Sequence, residues 1–262
     1  MCSSDPGHLP LQGLQGDNFH HARRTVGSFP VSRGKTSSPV RAVLFDLDGT
    51  LLDTVGDLAS AANRMLGQLG LPLRPEAEIR NFVGKGTAKL VERCLGASSN
   101  SLDRALELFH AAYLEESGRS ALVYPGVIEG IDMLAADGIP LACVTNKPEA
   151  FTLPLLRQTR LDKYFSTVVS GDTVARRKPD PMPFEHACVQ LGVPCGQALV
   201  VGDSANDADA GRAAGCRVLC VPYGYREGQP LTALDCDAVV EDLRAVAHYV
   251  RRINSEFSEM AG

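Results

Sequence analysis

The sequence predicts an α/β fold: a Rossmann-like parallel sheet core with helices on both faces and an inserted all-helical cap. Three observations predict it. Short runs of unbroken apolar residues recur along the chain. Helical patterns that stop at glycine lie between them. One long interval after the first run carries helical patterns alone.

The apolar runs are 42–45 (AVLF), 139–145 (IPLACVT), 166–170 (STVVS), 198–202 (ALVVG) and 217–222 (RVLCVP). Continuous hydrophobicity, rather than alternation, marks strands buried on both faces. The segment 127–138 places apolar residues at 127, 128, 131 and 134 and stops at Gly138. Segments 180–192 and 207–215 stop at Gly192 and Gly215. Glycine just past the last helical residue is a C-terminal signal. Strands alternating with helices make a parallel sheet with right-handed crossovers.

Roughly ninety residues separate the first run from the second, far more than one crossover helix needs. Leu58, Ala62, Met65, Leu66 and Leu69 share one helical face that ends at Gly70. Leu90, Val91, Cys94 and Leu95 form a second face, and Leu102, Leu106, Phe109 and Tyr113 a third. This interval reads as a helical cap over 54–124, inserted beyond the end of strand one. The core then comprises 40–53 and 125–252. Residues 1–39, rich in Gly, Ser, Pro and Gln and without periodicity, read as a disordered tail. No apolar stretch there suits a secretory signal.

Composition narrows the function classes. The chain has 262 residues and a formal net charge of −5, which gives no reason to expect nucleic acid or an anionic membrane as partner. No apolar run approaches the ~20 residues of a membrane span. Eight cysteines are scattered, without C-x-x-C or zinc-type spacing. They read as free thiols of a reducing, cytoplasmic environment. A homodimer is one assembly that the sequence leaves open.

Ligands of open α/β sheets bind outside the carboxyl ends of the strands. After strand one come Asp46, Asp48 and Thr50. After strand two come Thr145, Asn146 and Lys147. After strand three comes Lys178, and after strand four Asp203, Ser204 and Asp207. Side chains i and i+2 of a strand share a face, so Asp46 and Asp48 point one way and Leu47 the other. Gly49 permits a sharp exit. Carboxylates this close repel unless one is protonated or a cation intervenes, and a hard divalent cation such as Mg²⁺ suits oxygen ligands beside a phosphate. Each segment has a plain reading alone: "DLDG" as an Asx turn or calcium loop, "TNKP" as a helix start capped by Asn146, "RKPDP" as a turn, "GDSAND" as a polar loop. Their joint placement at one sheet edge points to a reactive site.

The set "FDLDGT", "VTN", Lys178 in "RKPDP" and "VGDSANDADAGRAAG" resembles the four motifs of the haloacid dehalogenase superfamily. A helical insert after the first motif resembles that family's type-one cap. "LLDTVGDLASAANRML", "IRNFVGKGTAKLVERCL", "YPGV" and "YGYREG" are most similar to its phosphoglycolate phosphatases. The resemblance spans about 41–249. It implies a Mg²⁺-dependent phosphatase of carbohydrate metabolism whose substrate is a small phosphate ester, with 2-phosphoglycolate hydrolysed to glycolate and phosphate. Asp46 is then the nucleophile that forms an aspartyl-phosphate, and Asp48 the general acid and base. The Asp46 carboxylate, the Asp48 backbone carbonyl and the Asp203 carboxylate hold the metal, with Asp207 orienting Lys178 and metal-bound water. Lys178, Thr145 and the amide of Asn146 hold the phosphoryl oxygens. An acid at position 48 favours phosphoryl transfer over carbon–halogen cleavage. The loop Gly84, Lys85, Gly86 is the place where a substrate carboxylate is read, by the amine or the glycine amides. Two alternatives stay open: a β-phosphoglucomutase-like or other sugar-phosphate enzyme of the same fold, and a phospho-accepting signalling domain.

Overall fold

The computed structural model describes residues 38–98 and 101–261. Apart from Ser38 and Pro39, the expected tail lies outside the described residues. The chain enters through β1 (Ala42–Phe45), whose four side chains are fully buried, and makes the short strand β2 (Leu52–Asp53). Four helices come next: α1 (Val55–Gln68), α2 (Glu76–Arg80), α3 (Thr87–Leu95) and α4 (Leu102–Glu116). The chain returns through β3 (Leu122–Val123) to α5 (Val127–Ala136), β4 (Leu141–Val144), α6 (Glu149–Gln158) and β5 (Thr167–Val169). It ends with α7 (Met182–Leu191), β6 (Ala198–Gly202), α8 (Ala205–Ala213), β7 (Arg217–Cys220), β8 (Ala238–Val239) and α9 (Leu243–Ala261).

Six strands form one parallel sheet in the order β5-β4-β1-β6-β7-β8. The central strand β1 pairs on both sides, Val43 facing Leu141 of β4 and Leu199 of β6. Each large apolar side chain buried there contributes about 1.5–3 kcal/mol. The five expected strands are all present. The sixth, β8, is too short to leave a hydrophobic signature, and its Val239 is largely exposed.

β2 and β3 pair antiparallel, Leu52 against Val123, where the chain leaves and rejoins the core. Leu58, Met65, Ile79, Leu90, Val91, Phe109 and Tyr113 of the helices between them are buried in one cluster. That cluster continues onto Phe151 of α6 and onto Tyr225. Phe109 stacks on Tyr113 at 5.5 Å, and Tyr113 meets Phe151 edge-on at 4.9 Å. The helical insert is therefore seated on the core by aromatic contacts. α2, five residues long, has too few turns to show periodicity from sequence.

Three other details differ from the linear reading. Asn146 does not cap α6, which begins at Glu149 after Pro148. Cys188, Cys195 and Cys216 have no metal-type spacing, yet the fold brings their sulfurs within 4.8 Å of one another. The core also continues past residue 252, because α9 runs to Ala261. Among the described residues no helix is long and apolar enough to cross a membrane.

α9 begins against α5 at Gly130, where a Cβ would lie 2.3 Å from the backbone carbon of Leu243. Backbone cannot yield there as a flexible side chain would. Gly130→Ala is expected to cost about 1–3 kcal/mol, read as a lower urea midpoint.

Candidate active site

The ladder hydrogen bond from the Asp46 amide to the Val201 carbonyl, 3.0 Å, carries β1 one residue past its last strand residue. The chain then turns: the amides of Leu51 and Leu52 donate to the Leu47 carbonyl, and the Gly49 amide to the Leu52 carbonyl. Strict strand alternation therefore stops at Asp46, and the turn brings Asp48 to the same pocket while Leu47 is fully buried. Gly49 adopts φ +96°, and a Cβ there would lie 2.4 Å from Asp203 Oδ2. Both conformation and space demand glycine.

Asp46, Asp48, Thr145, Asn146, Lys178, Asp203 and Asp207 all line one pocket, together with Gly84 and Gly86 from the helical insert. Lys178, 4% exposed, is its hub. Its ammonium donates to Asp46 Oδ1 at 2.6 Å, the Val144 carbonyl at 2.7 Å and Asp207 Oδ1 at 2.7 Å. Burial acts to lower the Lys178 pKa, but Asp207 and Asp46 outweigh it and hold the ammonium above its ordinary value. The other Asp207 oxygen accepts from the Ser204 amide and hydroxyl in a capping box at the start of α8. Asp207 thus has both oxygens engaged in aiming Lys178 and capping the helix.

Asn146 ties three segments together. Its Nδ2 donates to the Gly84 and Lys178 carbonyls, both at 2.9 Å, and its Oδ1 accepts from the Lys178 amide. The Gly84 loop therefore lies against the carboxyl edge of the sheet. Lys85 does not join it: its side chain is 45% exposed and its ammonium lies 3.4 Å from Glu227. The reason is local. Gly84 and Gly86 put their backbone toward the pocket, and the intervening side chain points to Glu227, which also holds Arg93 at 2.6 Å.

Several contributors carry no role in the sequence reading. Thr50 Oγ1 and the Tyr225 amide donate to Asp203. Thr54 Oγ1 donates to Asp48 Oδ1 at 2.6 Å. Lys147, 4% exposed, donates to both oxygens of Asp48 at 2.9 and 3.1 Å. Its place at the sheet edge was legible, but its side-chain direction was not. Tyr225 sits in the "YGYREG" segment far along the chain, and only folding brings it to Asp203.

Four carboxylates against two ammonium groups, Lys147 and Lys178, leave the pocket a formal charge of −2. Burial pushes the Asp46 carboxyl up to about 7; Lys178 opposes the shift, and Asp207 and Asp48 add to it. Burial, then Asp46 and Asp207, hold Asp203 well above the usual carboxylate range. Carboxylate oxygens of Asp46, Asp203 and Asp207 lie within 4.8 Å of one another, all buried. Concentrated, incompletely neutralised hard oxygen donors fit a divalent cation such as Mg²⁺.

Residues 43–221 match the family model described as haloacid dehalogenase-like hydrolase. The chain belongs to that family. It is 50% identical over 220 residues to the phosphoglycolate phosphatase of Nitrosospira multiformis, covering 82% of this chain and 97% of that one. It is 44% identical over 220 residues to the phosphoglycolate phosphatase of Thiobacillus denitrificans, with the same coverage. A crystal structure of a predicted phosphoglycolate phosphatase from Haemophilus somnus superposes with a TM-score of 0.77 at 31% identity, covering 80% of this chain and 97% of that one. This haloacid dehalogenase-like hydrolase is a phosphatase, a phosphoric monoester hydrolase. The helical insert is part of the matched span, which leaves no place for the signalling-domain alternative.

The raised Asp46 carboxyl gives a pH prediction. Its folded pKa of about 7 lies above the 3.8 of an unperturbed carboxyl. The metal-free folded state therefore holds a proton that the unfolded state releases, and stability falls as pH rises through that window. A divalent cation competes with the same proton. Added Mg²⁺ is expected to raise the Tm more at about pH 8 than at about pH 5.5 in a thermal melt. Equal shifts at both would count against the assignment.

Proposed function

We propose that this phosphatase hydrolyses 2-phosphoglycolate to glycolate and phosphate through an aspartyl-phosphate on Asp46, with Mg²⁺ as cofactor. The observation that carries the mechanism is the Lys178 bridge. It fixes Asp46 beside Asp207 at the end of the central strand, facing a pocket that also holds Asp48. The Asp46 and Asp203 carboxylates and the Asp48 backbone carbonyl would hold Mg²⁺, which supplies charge neutralisation to the phosphoryl oxygens.

In the first half-reaction an Asp46 oxygen attacks phosphorus and the bond to the ester oxygen breaks. Asp48 gives its proton to that oxygen, which leaves as the glycolate hydroxyl. In the second, Asp48 takes a proton from water, whose oxygen attacks phosphorus and releases Asp46 and orthophosphate. Thr145 Oγ1 accepts from the Lys147 amide at 3.2 Å, so its single O–H has a phosphoryl oxygen to serve. The Asn146 amide serves another, and Lys178, whose three donors are held by Asp46, Val144 and Asp207, contributes its positive charge beside the phosphoryl group.

The pocket wall supports a small substrate over a sugar phosphate. The helical insert contributes Leu58, Val83, Gly84, Gly86, Thr87 and Leu90, a lining with one hydroxyl for the several that a sugar presents. The relatives' own names support the same reading. Seven described cysteines are free thiols, which supports a reducing, cytoplasmic setting.

Asp46→Asn is expected to reduce kcat by about 10³-fold or more and to prevent capture of beryllium fluoride, followed by fluorine NMR. Near-normal turnover would refute the nucleophile. Chelation with EDTA is expected to abolish 2-phosphoglycolate hydrolysis, and Mg²⁺ to restore it. Activity indifferent to chelation would exclude the metal role.

A further inference from the structure

We propose that Lys147, not Lys85, reads the carboxylate on the substrate's leaving group. The inference rests on the 2-phosphoglycolate reading and assigns its specificity to one side chain. Lys85 points its ammonium at Glu227 and is half exposed. The insert's share of the pocket lining carries no charged side chain. A cation for a substrate carboxylate must then come from the core, where the described lining offers Lys178 and Lys147.

Donor counting separates the two. An ammonium has three N–H donors. Lys178 directs its own at three separate acceptors, Asp46, Val144 and Asp207, all within 2.7 Å. Lys147 directs its hydrogen bonds at one carboxylate, that of Asp48, at 2.9 and 3.1 Å. Its remaining neighbour is Tyr113, with the ammonium 4.9 Å from the ring centroid and the buried hydroxyl left without a hydrogen-bond partner. Two donors suffice for both Asp48 oxygens, which leaves one for a further acceptor in the pocket.

The surroundings favour an anion as that acceptor. The Lys147 side chain is 3% exposed, so its field is poorly screened by water. The Asp48 carboxylate, 2.9 Å away, is the counter-charge of this buried ammonium. Cap residue Tyr113 holds the ammonium from one side and Asp48 from another. In a small α-carboxylated ester, the carboxylate and the ester oxygen are two bonds apart through the α-carbon. One ammonium that grips both Asp48 and the carboxylate therefore sets the ester oxygen beside the group that must protonate it. The chemical class selected is a short alkyl phosphate whose ester carbon itself carries the carboxylate.

The test compares 2-phosphoglycolate with 2-hydroxyethyl phosphate, which has the same chain length and a neutral end. Wild-type enzyme is expected to prefer 2-phosphoglycolate in kcat/KM. Lys147→Met is expected to shrink that preference by about 10- to 100-fold, the worth of a hydrogen bond to a charged group. Any general damage to Asp48 affects both esters and cancels in the ratio. Lys147→Arg, which keeps the charge, is expected to keep most of the preference. Competitive inhibition by glycolate should weaken in Lys147→Met by a similar factor, a readout that needs little turnover. A wild type that treats both esters alike overturns the substrate reading, and the role of Lys147 with it. A wild-type preference that survives intact in Lys147→Met overturns the role of Lys147 alone.

Discussion

The contact on which the site depends is the buried ammonium of Lys178 between Asp46 and Asp207. Three carboxylates, Asp46, Asp203 and Asp207, are packed into one water-poor space. Without a cation among them their mutual repulsion and lost hydration would oppose folding. Lys178 joins the loop after β5 to the ends of β1 and β4 and the start of α8. Removing its charge would leave the carboxylates uncompensated, a loss of a different order from that of a surface ion pair.

A second pair, Lys147 and Asp48, repeats the arrangement on the side that faces the helical insert. Both members are largely buried, and Tyr113 of α4 packs over the ammonium. The two lysines differ in their partners. One directs its ammonium at three acceptors of the core, Asp46 among them; the other directs its hydrogen bonds at the Asp48 carboxylate alone. The insert contributes shape and exclusion of water, through Leu58, Val83 and Leu90, and a backbone carbonyl at Gly84 that Asn146 fastens to the core.

Much of this was legible from the residues alone. The strands announced themselves because a sheet covered on both faces needs unbroken apolar runs. The acids, the hydroxyl and Lys178 came after those runs in the right order. Lys85 was misleading for a simple reason: a loop sequence gives the position of a side chain but not its direction, and Glu227 lies more than a hundred residues away. β8 was silent because two residues carry no pattern. The thiols of Cys188, Cys195 and Cys216 converge only because α7 packs against α8, which Cys216 follows.

The linear order of residues determined the sheet, the helical insert and the list of groups at the catalytic edge, since each depends on local periodicity or on the polar residues just past a strand's carboxyl end. The tertiary structure decided which groups are paired, saturated or still available. Lys178 and Lys147 look alike in the chain, as two lysines after two strands. Both are equally buried, and the number of acceptors around each ammonium separates them, a quantity that exists only once the distant segments have packed.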